Sequence, residues 1–204
     1  RLAELEDEAK QFKKRLSEQK FRSLQDALTE LPNRAAFDER FELEIRRWQR
    51  YGKPLTIALA DVDFFKQIND NYGHSAGDKT LKVIAQALKQ SLRDTDFIAR
   101  YGGEEFALIL PNTNSEGAMQ LAELVRQDLA SSQVNYQQLA LLIHASIGCY
   151  TAIPEPQQTS SDFIQAADAA LYQAKHTGRN KVVCSELSQH EIAEQEPESD
   201  DQDQ

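Results

Sequence analysis

The sequence predicts an α/β fold in which helices flank a mixed central sheet, preceded by an N-terminal helix. Two observations lead to this prediction. Amphipathic helical patterns alternate with short apolar strand patterns along the 204 residues, which is typical of a sheet covered by helices. Two β-prone runs also flank Gly102-Gly103, which is a strong signal for an antiparallel hairpin. The sheet is therefore expected to be mixed rather than wholly parallel.

Residues 1–31 are predicted to be helical. Apolar residues recur there at spacings of three and four, the pattern of a coiled-coil seam. The seam consists of Leu2, Leu5, Ala9, Phe12 and Leu16, followed after a stutter by Phe21, Leu24, Leu28 and Leu31. We expect a short parallel coiled coil; the alternative is an amphipathic helix that packs on its own domain. Pro32 disfavours helix in the residue before it and is expected to end this element.

Residues 32–185 are expected to form one domain. Helices are predicted over residues 34–50, 78–92, 115–130 and 161–174, and strands over 55–60, 97–101, 105–110, 139–151 and 182–184. The run at 55–60 is continuously apolar, which indicates a strand buried on both faces. Residues 186–204 lose all periodicity and are rich in Glu, Asp and Gln, so a disordered acidic tail is predicted.

Charge and cysteine content exclude some classes of function. The net charge is −10, but residues 186–204 contain eight acidic residues and no Lys or Arg. The rest of the chain holds 23 basic and 25 acidic residues, which argues against general electrostatic binding of nucleic acid. Cys149 and Cys184 have no metal-ligand spacing and form no disulfide framework, so we interpret them as core or strand residues in a reducing compartment.

The sequence carries no sign of a membrane helix or a signal peptide. No stretch approaches the roughly 20 apolar residues that a membrane helix needs. The chain starts at Arg1 and its only methionine is Met119, so we expect it to be a piece of a longer protein.

Carboxylates follow the buried strand and the hairpin turn. Asp61 and Asp63 come directly after the run at 55–60, and Glu104 and Glu105 follow the two glycines. Charge at the end of a buried strand is typical of a ligand crevice in an α/β fold. If the hairpin lies beside the first strand, Asp61 and Glu104 converge, and paired carboxylates need a cation between them. All-oxygen ligands of this kind favour Mg²⁺ and phosphates.

The turn itself has a predicted role. We expect Gly102 and Gly103 to adopt positive φ and to let a ligand approach closely. The alternative for this turn and for the strand end is a set of solvated carboxylates without a ligand.

Five ordered motifs resemble those of one family. Gly102-Gly103-Glu104-Glu105-Phe106 resembles the signature of the GGDEF family of diguanylate cyclases in its GGEEF form. Residues 26–34, 61–70, 73–78 and 167–175 with 178–180 resemble the family's other motifs, in the same order. The resemblance covers about residues 26–184. It implies a fold like that of nucleotidyl cyclases and polymerase palms.

The resemblance also implies a reaction and a metal site. Such cyclases condense two GTP into cyclic di-GMP and two pyrophosphates, with one GTP in each subunit of a homodimer. By resemblance, Asp61, the backbone carbonyl of Val62 and Glu104 bind two Mg²⁺ ions, or Mn²⁺, that activate the 3′-hydroxyl and clamp the α-phosphate. Glu105 is expected to contact or deprotonate that hydroxyl, so Asp61, Glu104 and Glu105 are the expected catalytic residues.

Further residues are expected to bind GTP. The resemblance places the β- and γ-phosphates against backbone N–H groups and side chains of two motifs, and Gly102 and Gly103 also at the nucleotide. The expected phosphate-binding residues are Phe64, Phe65, Lys66, Lys175 and Arg179. Asn69 and Asp78 match the family's guanine-binding residues. The carboxylate of Asp78 can accept hydrogen bonds from both adjacent donors of guanine. The alternative for Asp78 is an N-cap of the helix that follows, and for His74 we expect a structural hydrogen bond.

Arg93 and Asp96 form an Arg-x-x-Asp pattern, and five residues separate it from Gly102. The pattern and its placement match the family's inhibitory product site, so feedback inhibition by cyclic di-GMP is expected. The alternative is a solvated salt bridge at a helix end. Some relatives add an arginine from the next helix, where this sequence has Leu124, with Arg126 half a turn further on.

An active diguanylate cyclase is thus the leading hypothesis, with an upstream sensor that drives dimerisation through the N-terminal signalling helix. The alternatives are a catalytically inactive receptor for cyclic di-GMP or GTP, and a purely structural dimerisation module. Retention of Asp61, Glu104 and Glu105 favours the enzyme. The resemblance implies a bacterial cytoplasmic domain with no nucleic-acid partner and no membrane segment in this stretch; membrane attachment of a longer protein stays open.

Overall fold

The computed structural model describes residues 1–186. Its helices are α1 (Leu2–Ser23), α2 (Arg34–Tyr51), α3 (Phe65–Tyr72), α4 (His74–Ser91), α5 (Ser115–Ser131) and α6 (Ser160–His176). Its strands are β1 (Leu55–Val62), β2 (Phe97–Arg100), β3 (Glu105–Pro111), β4 (Gln133–Tyr136), β5 (Leu139–Leu142), β6 (Ala145–Ala152) and β7 (Val182–Glu186). The tail predicted over 186–204 lies outside the described residues except for Glu186, which is the last residue of β7 and not part of a tail.

The central sheet has the strand order β2-β3-β1-β6-β7. β1 pairs antiparallel with β3 and β6, and β7 runs parallel to β6, so the prediction of a mixed sheet is confirmed. Every residue of β1 is buried, as its apolar sequence predicts, because the strand is central and both faces are covered. β1 therefore delivers its last residues into the middle of one sheet edge.

Helices cover both faces of the sheet. On one face α4 and α5 pack with Leu81, Leu88 and Leu129 inward. On the other face α2 and α6 pack through Phe41 and Phe163, whose rings lie edge to face at 5.9 Å. Each such side chain contributes roughly 1.5–3 kcal/mol through burial of apolar surface.

Gly148 of β6 brings α6 unusually close to the sheet. A Cβ atom at this position would overlap the backbone of Leu171 and the carbonyl of Ala167. The absence of a side chain thus lets α6 lie directly on the strand. This contact fixes the height of the C-terminal turn of α6, which carries Lys175, above the sheet.

The predicted helix over 1–31 is too long. α1 ends at Ser23, and residues 24–33 form a wide turn closed by a bridge between Gln25 and Pro32. The second half of the seam is therefore wrong, since Leu31 is buried in the domain core and Leu28 packs against it. The side chain of Asp26 accepts bonds from both the backbone N–H and the hydroxyl of Thr29, which offers the chain an alternative to helix.

The first half of the seam lies on the surface of α1. Leu5, Phe12 and Leu16 are 61%, 67% and 56% exposed. The alternative in which this face packs on its own domain is therefore contradicted. The helix extends from the domain with an apolar stripe that has no partner within the described chain.

The bounds of several other elements differ from those that the sequence predicts. The expected strand over 139–151 is two strands, and β5 pairs with β4, which was not predicted, instead of joining the central sheet. α3 was also not predicted; it starts after Phe64, whose φ of 57° turns the chain sharply out of β1. α4 begins at His74, because Gly73 with φ 86° lets the chain start a new helix there. Asp78 consequently lies inside α4 and is not its N-cap.

The cysteines lie where the sequence predicts. Cys149 and Cys184 are free thiols at paired positions of β6 and β7, and Cys149 is fully buried. Contact with Cys184 and burial both raise the pKa of the Cys149 thiol. Within residues 1–186, none of the helices has the length and apolar character needed to cross a membrane.

Candidate active site

The end of β1 meets the turn between β2 and β3. Asp61 pairs with Glu105 across the two strands, and the Val62 N–H donates to the Glu104 carbonyl at 3.2 Å. β3 thus lies beside β1, which is the arrangement that the predicted convergence of Asp61 and Glu104 requires. Asp61 is only 6% exposed. The sheet edge thus holds a buried carboxylate next to Glu105, at the start of the adjacent strand, and Glu104, in the turn before it.

Burial and mutual repulsion perturb these carboxylates. Burial, opposed by Lys175 and reinforced by Asp63, raises the pKa of Asp61. Burial and then the charge of Asp61 raise the pKa of Glu104 and of Glu105. The Lys175 ammonium lies 2.8 Å from the Asp61 carboxylate. Lys175 and Arg179 act on Asp61, and Arg34 acts on Glu105, but the carboxylates of Asp61, Asp63, Glu104, Glu105 and Asp168 outnumber these cations, so the site favours a further cation.

The donor set is compatible with Mg²⁺. In residues 1–186, no three His, Cys, Asp or Glu side chains are grouped closely enough to bind a metal ion by themselves. The predicted set consists instead of the Asp61 and Glu104 carboxylates and the Val62 carbonyl. Mg²⁺ accepts such oxygen ligands and normally completes its shell with water and substrate phosphates. The excess negative charge around Asp61 makes these residues fit the ion.

The glycine turn differs from its prediction. Gly102 and Gly103 are not among the glycines with positive φ, so that expectation is wrong. The N–H groups of Tyr101 and Gly102 both donate to the Glu105 carbonyl, at 2.8 Å and 3.2 Å. A Cβ on Gly102 would lie 2.5 Å from the Glu105 carboxylate, whereas a Cβ on Gly103 would meet nothing within 4 Å. Gly102 therefore leaves room for Glu105, and Gly103 leaves an open surface beside Glu104.

Of the five expected phosphate-binding residues, Lys175 pairs with Asp61, and the other four lie at or next to Phe64. This residue precedes α3, and its ring is 53% exposed, while Phe65 is buried in the core. The Arg179 guanidinium lies 4.8 Å from the centre of the Phe64 ring. Lys66 is exposed on the first turn of α3. The α3 start and the segment after α6 thus face the same surface.

The two expected guanine readers lie on neighbouring helices. Asn69 belongs to α3 and Asp78 to α4. The Asn69 side chain lies against Gly77, where any Cβ would overlap its amide oxygen. Asp78 follows Gly77 directly and is exposed. Gly77 therefore lets the amide of Asn69 approach the backbone next to Asp78.

Arg93 and Asp96 lie in the turn between α4 and β2. The Arg93 N–H donates to the Asp96 carboxylate at 3.0 Å, and the Asp96 N–H donates to the Arg93 carbonyl at 3.0 Å. Both residues line an open cavity of about 280 Å³ together with Lys89 and Phe97. The Arg126 guanidinium does not point there, because it bonds to Glu123 and to the side chain of Asn180.

Arg100 is a residue that the sequence analysis did not single out. Its guanidinium donates to both oxygens of Asp26 and to the Gly103 carbonyl. Burial raises the pKa of Asp26, but bonds from Thr29 and Arg100 outweigh it and hold this pKa below its ordinary value. The signal in the sequence was the opposite charge of two residues: Asp26 begins the motif at 26–34, and Arg100 lies two residues before Gly102.

Comparison with known proteins agrees with this geometry. The family description "Diguanylate cyclase, GGDEF domain" matches residues 23–181. "Diguanylate cyclase DgcP" of Pseudomonas aeruginosa is 44% identical over 182 residues, which is 89% of this chain and 27% of that protein. "Diguanylate cyclase DosC" of Escherichia coli is 36% identical over 77% of this chain and 34% of its own length. The chain therefore spans about a quarter to a third of the length of these relatives.

Solved structures are also similar. One contains the diguanylate cyclase SiaD in complex with its activator SiaC from Pseudomonas aeruginosa; it has a TM-score of 0.78 and 40% identity, covering 90% of this chain and 70% of that one. Another contains the coiled coil and GGDEF domain of DgcB from Caulobacter crescentus in complex with c-di-GMP. Its TM-score is 0.84 at 29% identity, covering 91% of this chain and 97% of that one.

Proposed function

Because this chain belongs to the GGDEF family of diguanylate cyclases, we propose that it joins two GTP molecules into cyclic di-GMP with release of two pyrophosphates. The observation that carries the proposal is the buried Asp61 beside Glu104 and Glu105, with Lys175 at 2.8 Å. A purely structural module has no need for a buried, mutually repelling carboxylate group at a sheet edge.

Each acidic residue then has a distinct role. Asp61, the Val62 carbonyl and Glu104 hold two Mg²⁺ ions, or Mn²⁺. When bound, the metal supplies charge neutralisation at the α-phosphate and acidifies the attacking 3′-hydroxyl. Glu105 is the candidate to accept the proton of that hydroxyl, since burial and the nearby Asp61 charge raise its pKa and make it a better base than an ordinary glutamate.

The GTP lies across α3 and α4. The backbone at Phe64 and Phe65 with the Lys66 ammonium holds the β- and γ-phosphates, and Lys175 and Arg179 add positive charge from the other side. The Asp78 carboxylate accepts hydrogen bonds from the guanine edge, and the Asn69 amide can accept or donate there. A carboxylate at Asp78 faces adjacent N–H donors in guanine but an acceptor in adenine, so it selects GTP.

Catalysis requires two copies of the domain. Each copy supplies one set of site residues, whereas the product contains two nucleotides. We propose that α1 forms a parallel coiled coil through Leu5, Phe12 and Leu16, which are all exposed. An upstream sensor in a longer protein would act by changing the geometry of this coiled coil. Cyclic di-GMP would return to Arg93 and Asp96 as a feedback inhibitor.

Product analysis with GTP and Mg²⁺ over a range of protein concentrations tests the proposal. Cyclic di-GMP that rises more than linearly with protein concentration is the expected result, because dimerisation precedes turnover. Bound GTP without product at any concentration would contradict the cyclase and identify a receptor domain. The retained Asp61, Glu104 and Glu105 disfavour that outcome.

A further inference from the structure

Asp63 is a buried carboxylate with no role in the proposed reaction. It is 7% exposed and lies two residues after Asp61. One carboxylate oxygen accepts the Ser146 hydroxyl at 2.7 Å, and the other accepts the Asn180 backbone N–H at 2.9 Å. Its own N–H donates to the His144 carbonyl at 2.9 Å. Asp63 therefore joins the end of β1 to β6 and to the segment after α6.

The segment after α6 has an unusual backbone. Gly178, Arg179 and Asn180 all have positive φ, at 115°, 59° and 44°. Residues other than glycine rarely adopt this conformation, so the 178–180 turn must be held by its surroundings. The Arg179 N–H donates to the Ala174 carbonyl at 3.0 Å, and the Asn180 N–H is the one that Asp63 accepts.

A second contact holds the same turn from α5. The Asn180 side-chain oxygen accepts a bond from the Arg126 guanidinium at 2.9 Å. Glu123 fixes that guanidinium through two further bonds, and the pKa of Glu123 falls to about 2 because of the Arg126 hydrogen bond. Asn180 is thus clamped between Asp63 and Arg126.

The clamped turn presents Arg179 to the proposed phosphate site. Its guanidinium lies over the Phe64 ring, and Phe64 directly follows Asp63 in the chain. Asp63 therefore directly precedes the Phe64–Lys66 segment of the phosphate site. It also accepts a hydrogen bond from Asn180, which follows Arg179 in the chain. We propose that Asp63 is a positioning residue that fixes Arg179 relative to the Phe64–Lys66 backbone, so that both meet the β- and γ-phosphates. The proposal rests on the GTP site of the proposed function.

Two substitutions at Asp63 separate hydrogen bonding from charge. Asp63→Ala removes both acceptors and leaves the Asn180 N–H unpaired. Asp63→Asn keeps an oxygen for Asn180, and its amide can donate to the Ser146 hydroxyl, which accepts as well as donates. A positioning role therefore predicts rescue by asparagine, whereas a metal-binding role does not.

The experiment is isothermal titration with Mg²⁺ and two probes that cannot react. 3′-Deoxy-GTP carries the full triphosphate but lacks the nucleophile, and GMP lacks the β- and γ-phosphates. Asp63→Ala is expected to raise the Kd of 3′-deoxy-GTP about tenfold and to leave that of GMP within about twofold. Asp63→Asn is expected to bind both probes as the unsubstituted protein does.

Three results would overturn the proposal. The first is an Asp63→Ala protein that binds 3′-deoxy-GTP normally, and the second is equal loss for both probes. The third is an Asp63→Asn protein as weak as Asp63→Ala, which would assign the carboxylate charge to metal binding. If Asp63→Ala does not fold by circular dichroism, Arg126→Met decides: a selective rise of about threefold in the Kd of 3′-deoxy-GTP supports the clamp, and no change refutes it.

The titration is independent of turnover. An unsubstituted protein that binds 3′-deoxy-GTP but makes no cyclic di-GMP from GTP refutes the cyclase and leaves the role of Asp63 standing. A protein that makes cyclic di-GMP, with the Kd of 3′-deoxy-GTP unchanged in Asp63→Ala, refutes only the role of Asp63. Failure of the unsubstituted protein to bind 3′-deoxy-GTP refutes both.

Discussion

The Arg100 guanidinium lies 3.0 Å from a carboxylate oxygen of Asp26 and also donates to the Gly103 carbonyl at 2.7 Å. Asp26 belongs to the wide turn that follows α1, and Gly103 precedes Glu104. Both charged side chains are largely buried, so water screens their interaction only partly. The turn that follows α1 and the turn that carries the proposed metal ligand are therefore joined by one side chain.

Asp26→Asn is expected to reduce cyclic di-GMP formation and to destabilise the domain by about 1–2 kcal/mol. The asparagine oxygen still accepts from Thr29 but no longer pairs with the Arg100 charge. Because the pKa of Asp26 is below its ordinary value, its contribution to stability is present above about pH 4 and is lost as the pH falls below that. Urea unfolding at pH 7 and pH 3 measures this difference, which should shrink at pH 3. Asp38→Asn, at an exposed ion pair with Arg34, is the matched control and should change neither quantity.

Glu104→Gln is expected to lower turnover by at least about 100-fold while the fold is retained. The amide keeps the shape of the side chain but removes one charged metal ligand. The thermal midpoint measured with and without Mg²⁺ gives a second readout: Mg²⁺ should raise it for the unsubstituted protein and less for Glu104→Gln. Equal stabilisation by Mg²⁺ in both proteins would contradict the metal assignment.

Lys175→Met leaves the buried Asp61 carboxylate without its cation. We expect a loss of about 1–2 kcal/mol in the free energy of unfolding, reduced from the value for a fully buried pair because Lys175 is 30% exposed. The Kd of GTP should also rise. Lys53→Met, at an exposed position before the opposite end of β1, serves as the control in denaturant unfolding and GTP titration. An unchanged Kd would remove Lys175 from the phosphate site.

Arg93→Ala is expected to relieve product inhibition without changing the initial rate. The residue lines the cavity between α4 and β2 but lies outside the proposed catalytic group. The concentration of cyclic di-GMP that halves the rate should rise about tenfold, since a charged donor to phosphate is lost. Arg50→Ala, exposed at the end of α2, should leave the inhibition curve where it was. If Arg93→Ala also leaves it there, product does not bind at this turn.

Phe12→Asp is expected to weaken dimerisation through α1, because it places an unpaired charge in the proposed seam. Activity should fall about tenfold at low protein concentration and recover as the concentration rises. Sedimentation velocity measures the dimer fraction directly. Lys14→Asp, on the same exposed helix but on the face away from the seam, should leave both measurements unchanged. A dimer fraction unaffected by Phe12→Asp would exclude the coiled coil.

Local patterns predicted much of the fold. A helix was expected over residues 34–50, and its apolar residues Phe37, Phe41 and Ile45 are all buried in the core of one sheet face. The apolar run of β1 was expected to be buried on both faces, and it is. Such predictions succeed because helical and strand periodicity are properties of neighbouring residues. The convergence of Asp61 with Glu104 was expected only if the hairpin lay beside the first strand, and the pairing of β1 with β3 supplies that condition.

Long-range contacts decided what the sequence analysis predicted wrongly or missed. Leu24, Leu28 and Leu31 continue a helical spacing, but Asp26 pairs with Arg100, 74 positions away, and the chain leaves the helix. In the sequence, Asp63 is indistinguishable from a solvated carboxylate after a strand. Its burial depends on contacts with Ser146 of β6 and with Asn180 of the 178–180 turn.

By itself, the sequence determined the types of most elements, the mixed sheet and the family of this protein, because those depend on periodicity and on ordered motifs. Only the tertiary structure decided where α1 ends, that Lys175 neutralises Asp61, and which backbone Asp63 holds. The physical reason is that a buried charge is stable only beside a partner. That partner can lie far away in the chain, as Asn180 lies 117 positions from Asp63.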